Sequence, residues 1–468
     1  SSSEHSISVA IDAHSAEDAA NCVSIEFESE IVNGRIDALK VENNLSIVAL
    51  VGENMNGQVG VSGKMFSALG VNGVNIRAIA QGSSERNISI VIDTNNVKKA
   101  LNVLHERFFS SENKKLNIFI VGVGNVGGAM LEMIGKQKPA LLKNAHIDIN
   151  IAGLANSKKM IIAGEDGLDL KNWKNDLNNS EDSFSGANFI SIIKELNLRN
   201  SVFVDITANA GIADLYQDLL NSNISIVTAN KIANSSSYDY YSNLKALARK
   251  NNARFLFETN VGAGLPVIST LKDLINSGDK ILRIEGVVSG SLNFIFNNFN
   301  ENVGFAEIVK LAQQEGYTEP DPREDLSGAD IKRKLVILIR ESGYKIEMQD
   351  IKVESFIPKS CFEAPTVDAF FEELKLHNTT FQQLYNATKS TGKKLRVIGG
   401  FDGYKAFVKL LAVEKEHPFY NLHGKDNIVL FYTDRYREQP LVIQGAGAGA
   451  EVTAAGVFAD IIRIANTD

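Results

Sequence analysis

Leu116-Asn117-Ile118-Phe119-Ile120-Val121 runs directly into Gly122-Val123-Gly124-Asn125-Val126-Gly127, an apolar strand feeding a glycine turn that opens a helix expected over 126–135. A lone G-x-G-x-x-G is weak evidence, but one set between a strand and a helix is specific. In that setting Gly122 permits the tight turn and Gly124 lets the backbone approach a pyrophosphate. Gly127 allows close helix–strand packing, and the helix N-terminus faces the anion. The bland alternative is a glycine turn with no ligand. Downstream, 147–154, 202–206, 224–228 and 254–257 also read as strands, with helices such as 238–249 between them. Strands alternating with helices make a doubly wound parallel sheet covered on both faces.

The second strand ends in Leu154-Ala155-Asn156-Ser157-Lys158-Lys159, where a site for NAD would usually carry an acid against the ribose 2′-hydroxyl. No acid is there, and Ser157, Lys158 and Lys159 suit a 2′-phosphate, so NADP is favoured with NAD still possible; solvated lysines are the plain alternative. Thr228-Ala229-Asn230-Lys231 closes another strand at the carboxyl edge where ligands gather, so Lys231 either points at nicotinamide and substrate or is solvated. Glu258-Thr259-Asn260-Val261-Gly262-Ala263-Gly264-Leu265-Pro266 exposes carbonyls that suit a hard, weakly charged cation, or is simply a hinge into the next helix. In Gly316-Tyr317-Thr318-Glu319-Pro320-Asp321-Pro322 the prolines hold the chain extended and present Glu319 from a rigid loop. A helix then starts near Ser327, with Asp330 and Lys334 at i, i+4 on one face, an exposed ion pair or a cleft wall for a substrate ammonium and a proton in transfer.

Upstream lies an internal repeat: the segment from Ser2 to Asp12 matches that from Ser83 to Asp93 at a constant offset of 81, and Ala19, Val23 and Phe27 correspond to Ala100, Leu104 and Phe108. Each copy reads as a strand followed by an amphipathic helix. The second copy also has a strand over 45–51, a helix over 59–69 and a strand over 74–80 before it. The first begins at residue 1 without them, so further chain is expected upstream. After Pro266 come a helix over 267–276, a strand over 282–288, helices near 305–315 and 329–342, and a Gly-rich loop from Pro440 leading to a helix over 452–464.

The 468 residues, 44% of them hydrophobic, suffice for about three domains and exclude a disordered or fibrous class. With 48 basic against 56 acidic residues and a net charge of −8, no dominant positive field draws in polyanions, so nucleic acid is not expected as a partner. Cys22 and Cys361 stand in no disulfide, zinc or redox spacing, which fits a reducing cytoplasm. No stretch nears the ~18 unbroken apolar residues of a membrane span.

The stretch 116–468 resembles homoserine dehydrogenases. It does so in the Gly122–Gly127 fingerprint, Ala155-Asn156-Ser157, Thr228–Lys231, Glu258–Pro266, Ser289-Gly290-Ser291, Gly316–Pro322, Asp325–Lys334, and Gly445-Ala446-Gly447-Ala448-Gly449-Ala450 with Thr453-Ala454-Ala455-Gly456. Residues 1–110, above all Ala78-Ile79-Ala80-Gln81-Gly82-Ser83-Ser84-Glu85, resemble the ACT regulatory domains of aspartate kinases. The order is that of the bifunctional aspartokinase/homoserine dehydrogenases, without a kinase domain, so no kinase activity is expected from this chain. The resemblance implies ferredoxin-like ACT units over 1–112, the first incomplete. It also implies an NADP-binding Rossmann domain over 113–265 plus 440–468, and an α+β substrate-binding and dimerisation domain over 266–439.

The implied reaction is the reversible NAD(P)H-dependent reduction of L-aspartate 4-semialdehyde to L-homoserine, in threonine and methionine synthesis. Lys334, Lys231, Asp330 and Glu319 would carry the chemistry, and Glu319, Asp325 and Asp330 would hold the substrate. The cofactor would lie on Gly122, Gly124, Asn125, Val126, Gly127, Ala155, Ser157, Lys158, Thr207, Lys231, Gly316 and Gly447. A monovalent cation such as Na+ would sit on Val261, Ala263 and Leu265 with Glu258. Threonine is the implied effector, with Gln81 in its site, and a dimer or tetramer is expected. The rival reading is a non-catalytic nucleotide and amino-acid sensor, which loss of Glu319, Asp330, Lys231 or Lys334 would mark; all four are present.

Overall fold

The repeat at the start folds unequally. In the computed structural model, which describes residues 6–109 and 113–466, the helix of the first copy forms as α1 (Ala16–Glu26). The strand expected before it does not: Ile7 makes an isolated bridge, and residues 8–12 have no strand geometry. Ile7, Val9 and Ile11 stay 80, 76 and 49% exposed. A strand is held by burying one face, and this segment buries none. The Ser2-Ser3-Glu4-His5 part of the repeat lies outside the described residues.

The second copy is complete enough to build a core. β1 (Leu45–Val51), α2 (Val61–Val71), β2 (Ile76–Gln81), β3 (Asn87–Asp93) and α3 (Val97–Phe108) give an antiparallel sheet of order β1-β3-β2. Alternation puts Val48, Leu50, Ile88, Ile90 and Ile92 on the face that meets Met65, Leu69, Ala100 and Leu104 of the helices. The compact unit so formed runs to Lys115 and includes Lys194–Asn200. Gln81 ends β2 opposite Ile88 and is exposed.

The other unit, Leu116–Ile193 with Ser201–Asp468, contains two six-stranded sheets. The first has order β6-β5-β4-β7-β8-β9, from β4 (Lys114–Val121), β5 (Ile147–Ala155), β6 (Met160–Ile162), β7 (Ser201–Asp205), β8 (Ser225–Thr228) and β9 (Phe255–Leu256). β4, β7, β8 and β9 pair in parallel, and β6 is an antiparallel edge. Its helices include α4 (Asn125–Ala145), α5 (Gly186–Leu196), α6 (Ile232–Ser235) and α7 (Tyr238–Lys250). Because β5 lies on one side of β4 and β7 on the other, the chain reverses direction at the carboxyl ends of β4 and β7. A crevice opens at such a switch point.

Beyond it come α8 (Val267–Asn276), β10 (Ile281–Val287), α9 (Gly290–Asn298), α10 (Ala329–Glu341), β11 (Ile351–Val353), β12 (Lys394–Phe401), β13 (Ala406–Val413), β14 (Asp426–Thr433), β15 (Leu441–Ala446) and α11 (Ala450–Ala465). The strands form a mainly antiparallel sheet, β11-β13-β12-β10-β14-β15. This corrects one expectation: residues 440–468 do not all go to the nucleotide-binding layer. Leu441–Ala446 pairs with β14, and only α11 returns, burying Ala454, Val457, Ile461 and Ile464 with Ile118, Ile120, Met130 and Ile134.

Candidate active site

At the end of β4 the backbone turns through Gly122 at φ +99°, where a Cβ would stand 2.6 Å from the Ile206 carbonyl oxygen. Only glycine fits both restrictions. At Gly127 a Cβ would lie 2.4 Å from the Gly122 carbonyl, so this glycine lets α4 press onto the turn. Gly124 differs: a Cβ there would meet nothing within 4 Å. Its open side faces a cleft of ≈ 340 Å³ lined by Gly122, Gly124, Asn125, Val126, Ser157 and Thr207 among others. Gly124 is also the N-cap of α4 and has no side chain to satisfy the first amides, which are left for an anion. These features fit a dinucleotide.

The remaining cofactor candidates lie around or away from the cleft. Ala155 is buried, and its carbonyl accepts the Gly122 N–H at 2.9 Å, so it sets the turn from behind. Lys158 is exposed beside Ser157. Lys159, expected to share a 2′-phosphate, instead donates its ammonium to the Asn178 carbonyl at 2.6 Å. Asn156 Oδ1 accepts both lysine amides at 2.8 Å and fixes the loop. Gly316, at φ +71°, follows the helix Phe305–Gln314, and Gly447 packs so tightly on Asn427 that a Cβ would lie 2.0 Å from its Cγ. Neither lines the cleft.

Sequence reading missed a buried network under the cleft floor. Asp205, fully buried at the end of β7, accepts from Tyr216 Oη at 2.6 Å, Asn230 Nδ2 at 3.1 Å and the Thr207 N–H at 2.8 Å. Burial pushes its carboxyl above the usual range against these donors. Asn230 also donates to the Asn209 carbonyl at 3.0 Å, tying the loops after β7 and β8 together. An aspartate ending a strand was the available sign, but its partners follow no spacing rule.

The charged cluster stands on α10 and the loops facing it. Gly328, at φ +72°, turns the chain into α10, and the expected i, i+4 pair forms with Lys334 Nζ 2.8 Å from Asp330 Oδ2. Lys334 also donates to the Val288 carbonyl at 2.6 Å. Lys231, delivered by the loop after β8, puts Nζ 3.5 Å from Asp330 Oδ1, so one carboxylate bridges two ammonium groups. Burial alone would raise the Asp330 carboxyl, but Lys334 and Lys231 overcome it and hold it well below the carboxylate range. Asp330 keeps 46% of its side-chain surface open yet lies close to both cations. Lys231 is pushed down, first by burial and then by Lys334 and Arg333, with Asp330 opposing.

Asp325 organises the other wall. It accepts from Ser291 Oγ at 2.7 Å and from the Glu319 N–H at 2.8 Å, while Ser289 and Ser291 share a 3.0 Å hydrogen bond at the start of α9. Burial raises the Asp325 carboxyl. Glu319 is raised by partial burial and then by its acidic neighbours Asp325, Glu324 and Asp330. The four residues Lys231, Asp330, Lys334 and Glu319 therefore gather as expected, with Asp325 behind Glu319.

The cation loop is met in part. The Glu258 carboxylate is occupied by the protein: it accepts the Ile268 N–H at 2.6 Å, the Ser269 N–H at 3.0 Å and Arg463 Nη1 at 3.0 Å. It caps the N-terminus of α8, where a negative charge is favoured. The Leu265 carbonyl accepts the Val267 N–H at 2.8 Å. Val261 and Ala263 are buried, Ala263 at φ +53°, and among the described residues neither carbonyl accepts a hydrogen bond. Two such carbonyls fit a hard cation.

Comparison with known proteins agrees with this geometry. A family model for homoserine dehydrogenase matches residues 266–462, one for the homoserine dehydrogenase NAD binding domain matches 122–258, and one for the ACT domain matches 48–108. The chain is 40% identical, over 99% of its length, to the chloroplastic bifunctional aspartokinase/homoserine dehydrogenase 1 of Arabidopsis thaliana, and spans 51% of it. It thus covers about half the length of the bifunctional relatives it matches. It is 38% identical to the homoserine dehydrogenase of Schizosaccharomyces pombe, with 76% of this chain matched to 96% of that protein. Among solved structures, a hyperthermophilic archaeal homoserine dehydrogenase in complex with NADPH matches 75% of this chain and 98% of its own at 26% identity and a TM-score of 0.59. The glycine turn with its open Gly124, the Lys231–Asp330–Lys334 bridge and these matches together make the chain a member of the homoserine dehydrogenase family, with an ACT domain ahead of its nucleotide-binding sheet.

Proposed function

We propose that this chain reversibly reduces L-aspartate 4-semialdehyde to L-homoserine, with NADPH preferred to NADH. The observation that carries the reading is the carboxylate of Asp330 set between two ammonium groups, 2.8 Å from Lys334 and 3.5 Å from Lys231. When bound, the reduced nicotinamide supplies a hydride to the aldehyde carbon. The carbonyl electron pair then moves to oxygen, and the resulting alkoxide takes a proton from the Lys231 ammonium to leave a hydroxyl and a neutral amine. Lys231 suits this role because burial lowers its pKa toward the working range, where proton transfer is most effective. Lys334, held by Val288 and Asp330, stabilises the developing oxyanion and fixes Asp330. Glu319 and Asp330 hold the substrate ammonium, and Asp325 keeps the Glu319 loop in place.

Gly122, Gly124 and the first turn of α4 would carry the pyrophosphate, with Ser157 and Lys158 on the 2′-phosphate. A monovalent cation would rest on the carbonyls of Val261 and Ala263. The ACT unit would bind threonine near Gln81, and copies would associate as a homo-oligomer in a reducing, cytoplasm-like compartment. We take the boundaries as 113–265 with the C-terminal helix for the nucleotide-binding domain and 266–449, which includes β15, for the substrate domain. The test is NADPH oxidation by the purified chain on addition of L-aspartate 4-semialdehyde, with homoserine identified by mass spectrometry. No oxidation, or oxidation without homoserine, would overturn the reading.

A further inference from the structure

The last turn of α10 carries two buried charges that the chemistry above leaves unused. The Arg340 side chain is 0% exposed and spreads its guanidinium over three acceptors. It donates to the Asn234 carbonyl at 2.9 Å, the Ile346 carbonyl at 3.1 Å and Glu347 Oε2 at 3.0 Å. Glu347 in turn accepts the Tyr238 N–H that opens α7, at 3.0 and 3.1 Å. Next to it Glu341, 1% exposed, takes Lys245 of α7 at 2.6 Å and Lys272 of α8 at 3.3 Å, and accepts from Tyr241 Oη.

These contacts converge on the helix that bears the reacting cluster. Asn234 lies in α6, whose N-cap is Lys231, while Arg340 stands on α10 roughly 9 Å along the axis from Lys334. Lys231 and Lys334 come from different elements, α6 and α10, and both elements are tied to the same guanidinium. A hydrocarbon at position 340 would avoid the cost of burying a charge, but it would not select one arrangement of three acceptors.

We propose that Arg340 is a positioning residue: by gripping the Asn234 carbonyl and Glu347 it fixes α6 against α10 and so holds Lys231 over Asp330. This rests on the reading of Lys231 as proton donor. The charged groups facing Lys231 are Asp330, Arg333 and Lys334 of α10 and Glu319 of the preceding loop. Freed from this grip, α6 lets Lys231 move away from them toward water.

The test compares the full chain with Arg340→Met, Arg340→Lys and Glu347→Gln. Arg340→Met should lower kcat roughly ten- to a hundredfold, the usual result of about an ångström of misplacement. NADPH affinity should stay within about twofold, and the alkaline limb of kcat should move to higher pH as Lys231 regains solvent. Arg340→Lys should not restore kcat, because one ammonium cannot reach three acceptors. Glu347→Gln, which keeps an oxygen for the Tyr238 N–H, should give a smaller shift in the same direction and decides the matter if Arg340→Met does not fold. NMR of 13C-methylated lysines, with Lys231→Arg used to identify the signal, reads the same pKa change without turnover. An inactive parent would sink the dehydrogenase reading alone. An unmoved Lys231 titration in the folded variants, full rescue by Arg340→Lys, or a kcat loss matched by an equal loss of NADPH affinity would overturn the role of Arg340.

Discussion

Adding one methyl group at each of two glycines separates ligand approach from packing. At Gly124 a Cβ meets nothing within 4 Å, so Gly124→Ala should fold with a stability change of about 1 kcal/mol, the scale of an N-cap substitution. In the proposed complex the same methyl would stand on the side where the backbone approaches the pyrophosphate. Losing one hydrogen bond to a charged oxygen costs about 1.5–3 kcal/mol, so NADPH should bind roughly 10- to 150-fold more weakly. Gly127→Ala should behave in the opposite sense. Its Cβ would lie 2.4 Å from the Gly122 carbonyl oxygen, a backbone atom, so helix and turn must separate at a cost of about 1–3 kcal/mol even without ligand. Calorimetric titration of NADPH and thermal unfolding of the ligand-free chain measure the two effects separately. Parental NADPH affinity in Gly124→Ala, or parental Tm in Gly127→Ala, would refute the distinction.

Lys158→Ala should weaken NADPH while leaving NADH unchanged, since only NADPH carries the 2′-phosphate; equal losses in kcat/KM would remove Lys158 from cofactor choice. Glu319→Gln should raise KM for the semialdehyde roughly 10- to 150-fold, the loss of a charge-assisted contact, with kcat little altered. An unchanged KM would place the substrate ammonium elsewhere. Calorimetry should detect threonine binding that Gln81→Ala abolishes. Binding untouched by the substitution would move the effector site away from the end of β2.

What could be read from sequence was local. Gly122–Gly127 was legible because strand, turn and helix are contiguous, and the Asp330–Lys334 pair because helical spacing alone sets it. The approach of Lys231 to Asp330 follows no spacing, since separate elements bring it about, and only family resemblance put the two in one site. The helix cap made by the Glu258 carboxylate was illegible for the same reason: its partner Arg463 lies 205 residues away. Lys159 looked free beside Lys158 until the fold put the Asn178 carbonyl within its reach. The strand expected at Ile7–Ile11 had a good pattern, but a pattern does not supply a core, and those side chains remain in water. Asp205, Tyr216 and Asn230 gave no periodic sign, because a buried polar network is defined by where strand ends meet.

The most direct test is the turnover of Lys231→Met with NADPH and L-aspartate 4-semialdehyde both saturating. Removing a general acid should lower kcat by roughly 10²–10⁴ and leave NADPH affinity near that of the parent. A Lys231→Met chain that folds, binds NADPH and reduces the semialdehyde as fast as the parent would contradict the account.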